Sequence, residues 1–178
     1  ALGMHIPRRW DKILDINSCD LMPSVGSKII NFVRDLAKKS KLKPYDQRSH
    51  VGFLRYLALR FGQNTNELMV NIVTSYEDLD MLVPFVESLV NEFPEITSVV
   101  NNINTRKADV SFGEREILLH GKPIINEKLK DLTFQISANS FFQTNSLMAE
   151  KLYDVILNSA NLKGDEIVYD LYCGAGSI

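Results

Sequence analysis

A glycine turn in residues 167–177 (IVYDLYCGAGS) has the residue types of a ligand-binding turn. An apolar run leads to Asp170, and Gly174 and Gly176 follow it. Because glycine has no Cβ, a turn with two glycines can bend tightly and bring its backbone close to a ligand. Asp170 could orient water or an ammonium group, and Tyr172 could pack against the ligand.

Two kinds of enzyme bind a cofactor at a glycine-rich turn that follows a buried strand. Class I methyltransferases bind S-adenosylmethionine there, and dinucleotide enzymes bind their cofactor at a similar turn. The acidic residue and the tyrosine favour the methyl donor. A plain glycine turn without a ligand is the alternative that these residues leave open.

A second candidate segment is formed by residues 134–145 (FQISANSFFQTN), upstream of the glycine turn. Amide side chains supply hydrogen-bond donors and acceptors together, and aromatic rings stack on bases. Phe142, Gln143 and Asn145 could therefore hold an RNA base or the methionine part of a cofactor. The alternative is structural, with Phe141 and Phe142 in the core and Asn145 as a helix N-cap.

Positive charge is concentrated in the first third of the sequence. Residues 1–60 contain 12 Lys and Arg against 5 Asp and Glu, a net charge of +7, whereas residues 61–178 carry −9. A local cluster of this kind could hold the phosphates of RNA. Its central members are Lys38, Lys39, Lys41 and Lys43. The alternative is that these lysines only complement the dipole at the end of a helix.

The hydrophobic pattern predicts an α+β fold that begins with a ferredoxin-like domain. Alternating residues predict strands, and apolar residues at helical spacing predict two helices. The strands are expected over residues 11–16, 52–61, 68–73 and 96–103, and the helices over about residues 25–40 and 79–90. This order is the βαββαβ arrangement of ferredoxin-like domains.

Beyond residue 103 the pattern predicts a β-rich extension, one more helix and one more strand. The extension covers residues 105–126, a strand follows at 133–136, and the helix covers 145–159. The apolar run at 166–171 has the composition of a strand buried in a parallel sheet. The helix and this strand would begin a class I methyltransferase domain.

Four segments together resemble the RNA uracil-C5 methyltransferases, which methylate uridines of ribosomal and transfer RNA. They are SCDLMP (18–23), GFLRYLALRFGQNTNELMVNIVT (52–74), FFQTN (141–145) and DLYCGAGS (170–177). The combination is specific, although no single motif is. In that family a central α+β domain precedes the catalytic domain. The resemblance therefore implies a central, RNA-facing domain in residues 1–130 and the start of the S-adenosylmethionine-binding domain in residues 131–178.

The resemblance implies S-adenosylmethionine as the cofactor and RNA as the partner, with no stable protein partner. The expected cofactor-binding residues are Gln143, Asp170, Tyr172, Gly174 and Gly176. Ser177 stands where relatives often carry Asn or Thr. The RNA contacts are expected from Phe142, Asn145 and the four lysines.

Uracil-C5 methyltransferases use a cysteine thiolate that adds to C6 of uracil and a general base that later removes the C5 proton. Both residues are expected downstream of Ile178, so we expect these 178 residues to be inactive alone. Cys173, inside the glycine turn, is expected to be a packing residue.

Cys19 has two interpretations. Some members of the family hold a [4Fe-4S] cluster with three clustered cysteines and a fourth in a segment similar to NSCDLMP, so Cys19 could be that fourth ligand. The three partners are absent from the sequence, and the alternative is a buried free cysteine. With two distant cysteines there is no disulfide framework, which favours a reducing, cytoplasmic location.

The composition, 45% apolar and 24% charged, is that of a globular domain and excludes disorder and collagen. The apolar runs are too short for a membrane span. Two further functions stay open: a non-enzymatic ferredoxin-like module that binds RNA or protein, and another class I methyltransferase, such as one acting on guanine. The sequence is expected to be a piece of a longer protein.

Overall fold

A computed structural model describes residues 1–108, 110–174 and 176, and in this part of the chain it contains eight strands and three helices. The strands are β1 (Gly3–Ile6), β2 (Arg9–Asp15), β3 (Leu54–Phe61), β4 (Leu68–Thr74), β5 (Ser98–Ile103), β6 (Arg115–Gly121), β7 (Ile124–Leu129) and β8 (Leu132–Ser137). The helices are α1 (Ser24–Lys39), α2 (Leu79–Glu92) and α3 (Ser146–Ala160). Within the described residues, these helices lack the length and apolarity that crossing a bilayer requires.

Helices α1 and α2 form where the sequence repeats apolar residues at helical spacing. In α1 the buried face contains Ile29, Ile30 and Val33. In α2 the side chain of Asp78 accepts a hydrogen bond from the backbone N–H of Met81 and so caps the first turn. Both helices were predicted within a few residues of their bounds.

The main sheet has four strands in the order β3-β4-β5-β6. β3 and β4 are an antiparallel hairpin, β4 and β5 are parallel and joined through α2, and β6 returns antiparallel to β5. Every residue of β4 and β5 is buried, so these are the two central strands.

The prediction of a ferredoxin-like strand order is wrong. That order would place β2 between β4 and β5, but these two strands pair directly from Met69 with Ser98 to Thr74 with Ile103. β2 pairs with β1 instead. The reason lies in its composition, because β2 carries Asp11, Lys12 and Asp15, and charges without partners are costly to bury between two central strands.

The sheet separates two hydrophobic cores. On one face Val70, Ile72 and Val99 pack against α1 and α2. On the other face Met69 and Val100 pack against β7, β8 and the start of α3. β7 and β8 form a hairpin that pairs along its full length, from Ile124 with Ser137 to Leu129 with Leu132. The result is three layers: two helices, the sheet, and the β7–β8 hairpin with α3.

The predicted strand at residues 166–171 does not form. These residues are irregular and exposed, with Ile167 at 82% and Tyr169 at 79% of full exposure. A strand with two apolar faces is stable only between neighbouring strands, and the described part of the chain supplies none beside this segment. The preceding helix is present, as α3.

A substitution at Gly121 tests the turn between β6 and β7. Its φ is +70°, and an added Cβ would overlap the backbone carbonyl oxygen of Thr97. Gly121→Ala is therefore expected to lower the free energy of unfolding by about 2–4 kcal/mol, measured by urea denaturation.

Gly164→Ala is the matched control, because Gly164 also has a positive φ of +102° but no atom within 4 Å of the added Cβ. Equal losses in the two variants would contradict the predicted overlap at Gly121.

Candidate cofactor and RNA site

An open cleft of about 340 Å³ lies where three segments of the sequence meet. Leu21, Met22 and Pro23 of the SCDLMP segment form one side, and the end of β3 contributes Arg60 and Phe61. Residues 142–144 of the FFQTN segment complete it. Three of the four segments that resemble uracil-C5 methyltransferases thus converge on one surface, although they lie far apart in sequence.

The wall of the cleft is mainly apolar with a few polar groups. The polar side chains belong to Arg60, Gln63, Gln143 and Thr144. This combination is typical of small-molecule sites, where apolar surface supplies affinity and a few polar groups fix orientation.

Gln143 is exposed at the edge of this cleft. Within the described residues its side-chain amide has no hydrogen-bond partner, so both its donor and its acceptor are available to a ligand. The structure therefore shows Gln143 at the cleft with its side-chain amide free among the described residues. Its contact with the cofactor stays a prediction.

Phe142 and Asn145 have structural roles. Phe142 is 9% exposed and its ring lies 5.6 Å from the ring of Phe134 in the second core. The side chain of Asn145 accepts a hydrogen bond of 3.0 Å from the backbone N–H of Met148 and caps α3. The structural alternative for these two residues is thus confirmed, and their contacts with RNA stay predictions. The expectation that Phe141 packs in the core is wrong, because its side chain is 73% exposed and belongs to neither core.

The glycine turn lies apart from the cleft. Gly174 and Gly176 have φ values of +54° and +69°, which only glycine adopts readily, and the N–H of Gly176 donates to the carbonyl of Cys173 at 2.7 Å. Asp170 accepts a hydrogen bond from the N–H of Tyr172, whose side chain is 95% exposed. Asp170, Tyr172 and the two glycines do not line the cleft that contains Gln143. Ser177 lies outside the described residues.

Glu127 of β7 is a fully buried carboxylate that accepts four hydrogen bonds. Two come from the backbone N–H groups of Gln63 and Asn64, at 2.6 and 3.0 Å, and one from that of Lys128. The fourth comes from the hydroxyl of Ser146, at 2.6 Å. A carboxylate has acceptor capacity for all four, so these donors compensate its burial.

Arg60 is a half-buried cation at the wall of the cleft. Its Nε and Nη2 both donate to the carbonyl oxygen of Ala138, at 3.1 and 2.9 Å. Burial lowers the pKa of Arg60 from its ordinary value, with no carboxylate of the described residues to offset the effect. Arg60 therefore fixes Ala138, the first residue after β8 and the start of the loop that contains FFQTN.

A chain of three amides, two of them buried, joins this loop to the sheet. Asn102 of β5 donates to the side chain of Asn71 of β4, at 2.9 Å, and accepts from the side chain of Asn139, also at 2.9 Å. Asn71 and Asn102 are at most 1% exposed. Buried polar groups that are paired in this way fix one geometry.

The turn between β3 and β4, residues 62–67, is hydrogen-bonded to β7. Glu67 accepts hydrogen bonds from the ammonium of Lys122 and the N–H of Asn126, at 2.6 and 2.7 Å. Partial burial raises the pKa of Glu67, but the hydrogen bonds from Lys122 and Asn126 outweigh it, so the pKa lies below its ordinary value. The ionised form of Glu67 therefore stabilises the fold.

The four lysines of the basic cluster are exposed around the end of α1. Lys38 and Lys39 occupy the last turn of the helix, where cations complement the dipole. Lys38 lies 3.7 Å from Asp35, and Lys41 adopts a left-handed φ of +55°. The helix-end arrangement is thus present, and phosphate binding by Lys38, Lys39, Lys41 and Lys43 stays a prediction.

Cys19 is half-buried, and its backbone N–H donates to the hydroxyl of Ser27 at 3.1 Å. Cys173 is exposed, which contradicts its expected role in packing. No group of three or more His, Cys, Asp or Glu that could hold a metal occurs in the described residues. A [4Fe-4S] cluster needs four ligands, so the role of Cys19 as a fourth ligand in the full-length protein stays a prediction.

Arg60 and Glu127 are the site residues that the sequence reasoning missed. Glu127 carried a usable signal, because it alternates in phase with Ile125 and Leu129 and so lies on the buried face of β7. An acidic residue in that phase must have buried partners. Arg60 carried no such signal, since its partner is a backbone carbonyl.

Comparison with known proteins supports the resemblance given by the motifs. No protein-family model matches the chain. A protein of Chlorobaculum tepidum named as an uncharacterized RNA methyltransferase is 43% identical over 179 residues, which cover 100% of this chain and 37% of that protein. A protein of Listeria innocua with the same description is 38% identical and is matched over 38% of its length, with 99% of this chain.

A solved structure is similar to nearly all of the chain. It is the tRNA (uracil-54, C5)-methyltransferase of Pyrococcus abyssi in complex with S-adenosyl-L-homocysteine. The TM-score is 0.79 at 34% identity, over 98% of this chain and 41% of that one. The resemblance to RNA uracil-C5 methyltransferases is therefore confirmed. The chain spans about two fifths of the length of these relatives.

The lowered pKa of Glu67 predicts a pH-dependent stability. A depressed carboxylate pKa adds stability above the unfolded value of about 4.3, and this stability is lost as the pH falls through the lower folded pKa. Glu67→Gln is expected to lower the free energy of unfolding by about 1–2 kcal/mol at pH 7 and by less at pH 3.

Denaturant unfolding at the two pH values measures the difference. Glu116→Gln is the control, because Glu116 is exposed on β6 and should give the same small change at both. A loss in Glu67→Gln that is as large at pH 3 as at pH 7 would contradict the prediction.

Proposed function

We propose that this chain is part of an S-adenosylmethionine-dependent methyltransferase that methylates C5 of a uridine in tRNA or rRNA. The observation that carries the proposal is the cleft that unites the SCDLMP, β3 and FFQTN segments and exposes an unpaired Gln143. Similarity over the whole chain to RNA methyltransferases supports the reaction class, and the uracil-C5 neighbour supports the specificity.

Two groups of residues have chemistry that suits S-adenosylmethionine, although in this structure the glycine turn does not line the cleft that contains Gln143. Gln143 offers an unpaired amide at the cleft, and among the described residues no atom lies within 4 Å of a Cβ added at Gly176, so the backbone there is open to a ligand. When bound, the cofactor supplies the methyl group. We propose that Gln143, Asp170, Tyr172, Gly174 and Gly176 bind it, and that the thiolate nucleophile and the general base lie beyond Ile178.

We propose two domains, with the RNA-facing domain first. A boundary at residue 130 would cut the β7–β8 hairpin, whose strands pair along their full length. We therefore place the boundary in the loop after β8, at residues 138–145, so that the methyltransferase domain begins with α3. The second core still joins the two parts, since Ile125 and Ala149 both belong to it.

Two competing functions make different predictions. A non-enzymatic RNA- or protein-binding module would not consume S-adenosylmethionine, and a guanine-specific class I methyltransferase would label a different base. We propose RNA as the substrate because the relatives are named RNA methyltransferases, and a cytoplasmic location because both cysteines of the described residues are free.

The full-length protein that contains this chain is expected to transfer a methyl group from S-adenosylmethionine to unmodified RNA and to produce 5-methyluridine. Mass spectrometry of the digested RNA identifies the product. Gln143→Ala is expected to raise KM for S-adenosylmethionine about tenfold or more, because the amide loses its contacts with the cofactor. Gln135→Ala is the matched control, since Gln135 is exposed on β8 and does not line the cleft.

A methylated guanine as the product, or no methylation at all, would contradict the uracil-C5 proposal. An unchanged KM in Gln143→Ala would contradict only the role of Gln143.

The lysine cluster gives a separate prediction for RNA binding. The double substitution Lys38→Glu with Lys41→Glu is expected to weaken RNA binding by the full-length protein. It should also make the plot of log affinity against log salt concentration less steep, by the amount that about two phosphate contacts contribute. Fluorescence anisotropy at several salt concentrations measures both quantities. The control Lys107→Glu with Lys151→Glu makes the same change of charge at exposed sites outside the cluster. Equal effects of the two pairs would show that only net charge matters.

A further inference from the structure

The loop of residues 138–145, which carries Gln143, is fixed by side chains from other parts of the chain at its first residue and at Ser146, the first residue of α3. At its start the guanidinium of Arg60 donates twice to the carbonyl of Ala138. At its end the hydroxyl of Ser146 donates to the buried carboxylate of Glu127.

Both anchors belong to one structural unit. Glu127 also binds the backbone N–H groups of Gln63 and Asn64. Arg60 lies three residues before Gln63, at the end of β3. Arg60 at the end of β3 and Glu127, the partner of the β3–β4 turn, therefore hold the two ends of the loop.

Between the anchors the loop alternates fixed and free residues. Asn139 is bound to Asn102 of the sheet, and Phe142 is buried in the second core. Gln143 and Thr144, directly after Phe142, are exposed and line the cleft. The backbone around Gln143 is thus held while its side chain stays available.

We propose that Arg60 and Glu127 are positioning residues that hold the loop so that the amide of Gln143 meets the cofactor in one geometry. This inference rests on the proposed function, in which Gln143 contacts S-adenosylmethionine. Neither residue needs to touch the cofactor for this role.

The physical basis is preorganisation. An exposed side chain on a mobile loop loses conformational freedom when it binds, and this loss weakens affinity. A loop that is already fixed at both ends loses less, and displacements of about 1 Å in a binding group can cost up to about a hundredfold. The planar guanidinium of Arg60 suits this task because its two donors reach one carbonyl in a fixed fork.

The test measures binding of S-adenosylhomocysteine to the full-length protein by titration calorimetry. Arg60→Gln is expected to weaken binding about tenfold and Ser146→Ala about fivefold, while Arg60→Lys retains part of the affinity because lysine can still donate to Ala138. The matched control is Arg55→Gln. Arg55 is also half-buried and, among the described residues, donates to the backbone carbonyls of Asn104, Arg106 and Ala108, but it does not line the cleft.

A double-mutant cycle separates positioning from general destabilisation. If Arg60 acts through Gln143, the loss caused by Arg60→Gln must largely disappear in the background of Gln143→Ala. A merely structural role would give additive losses. All variants are compared at a temperature at which circular dichroism shows them folded.

Each outcome decides the inference. A tenfold loss in Arg60→Gln, a change below twofold in Arg55→Gln and a non-additive cycle support it. Additive losses, or equal losses in Arg60→Gln and Arg55→Gln, overturn it. If Arg60→Gln does not fold, Ser146→Ala decides, and a change below twofold overturns the inference. Failure of the unmodified full-length protein to bind S-adenosylhomocysteine would instead overturn the proposed function.

Discussion

The buried carboxylate of Glu127 is the interaction on which the arrangement of the cleft depends. A charge that is withdrawn from water must find donors, and Glu127 finds them in the β3–β4 turn, in its own strand and at the start of α3. The carboxylate joins these donors at one point, and Asn64 and Thr65 of the turn add hydrogen bonds to the backbone of β7. Together with Arg60 and Asn102, Glu127 thereby sets the relation between the sheet and the loop that carries Gln143.

The two faces of the sheet serve different purposes. The face toward α1 and α2 is an apolar core and supplies stability. The opposite face combines an apolar patch with the paired amides of Asn71 and Asn102, and Asn102 also binds Asn139 of the loop. Exposed polar side chains of the loop therefore stand on a backbone that is tied to the most deeply buried strands. This is the arrangement that a binding site requires if its flexible groups are to keep a defined geometry.

Local patterns predicted local structure well and long-range pairing poorly. The apolar spacing gave α1, α2 and α3, and Asn145 was foreseen as a cap because its short amide suits that position. The strand order could not be predicted, because the apolar residues of β4 and β5 indicate that both strands are buried but do not indicate which strand pairs with each. For the same reason a strand was wrongly predicted at residues 166–171: their composition indicates burial but does not identify a neighbouring strand. In the candidate site, the motifs identified Gln143, whereas Arg60 binds a backbone carbonyl and leaves no trace in sequence.

The residues that anchor the loop are far apart in sequence. Arg60 and Ala138 lie 78 positions apart, and Gln63 and Glu127 lie 64 apart. The β3–β4 hairpin joins strands that are neighbours in sequence, so its closure costs little chain entropy. The anchors of the loop with Gln143 close much longer segments and therefore cost more chain entropy, which the sheet and the two cores must offset.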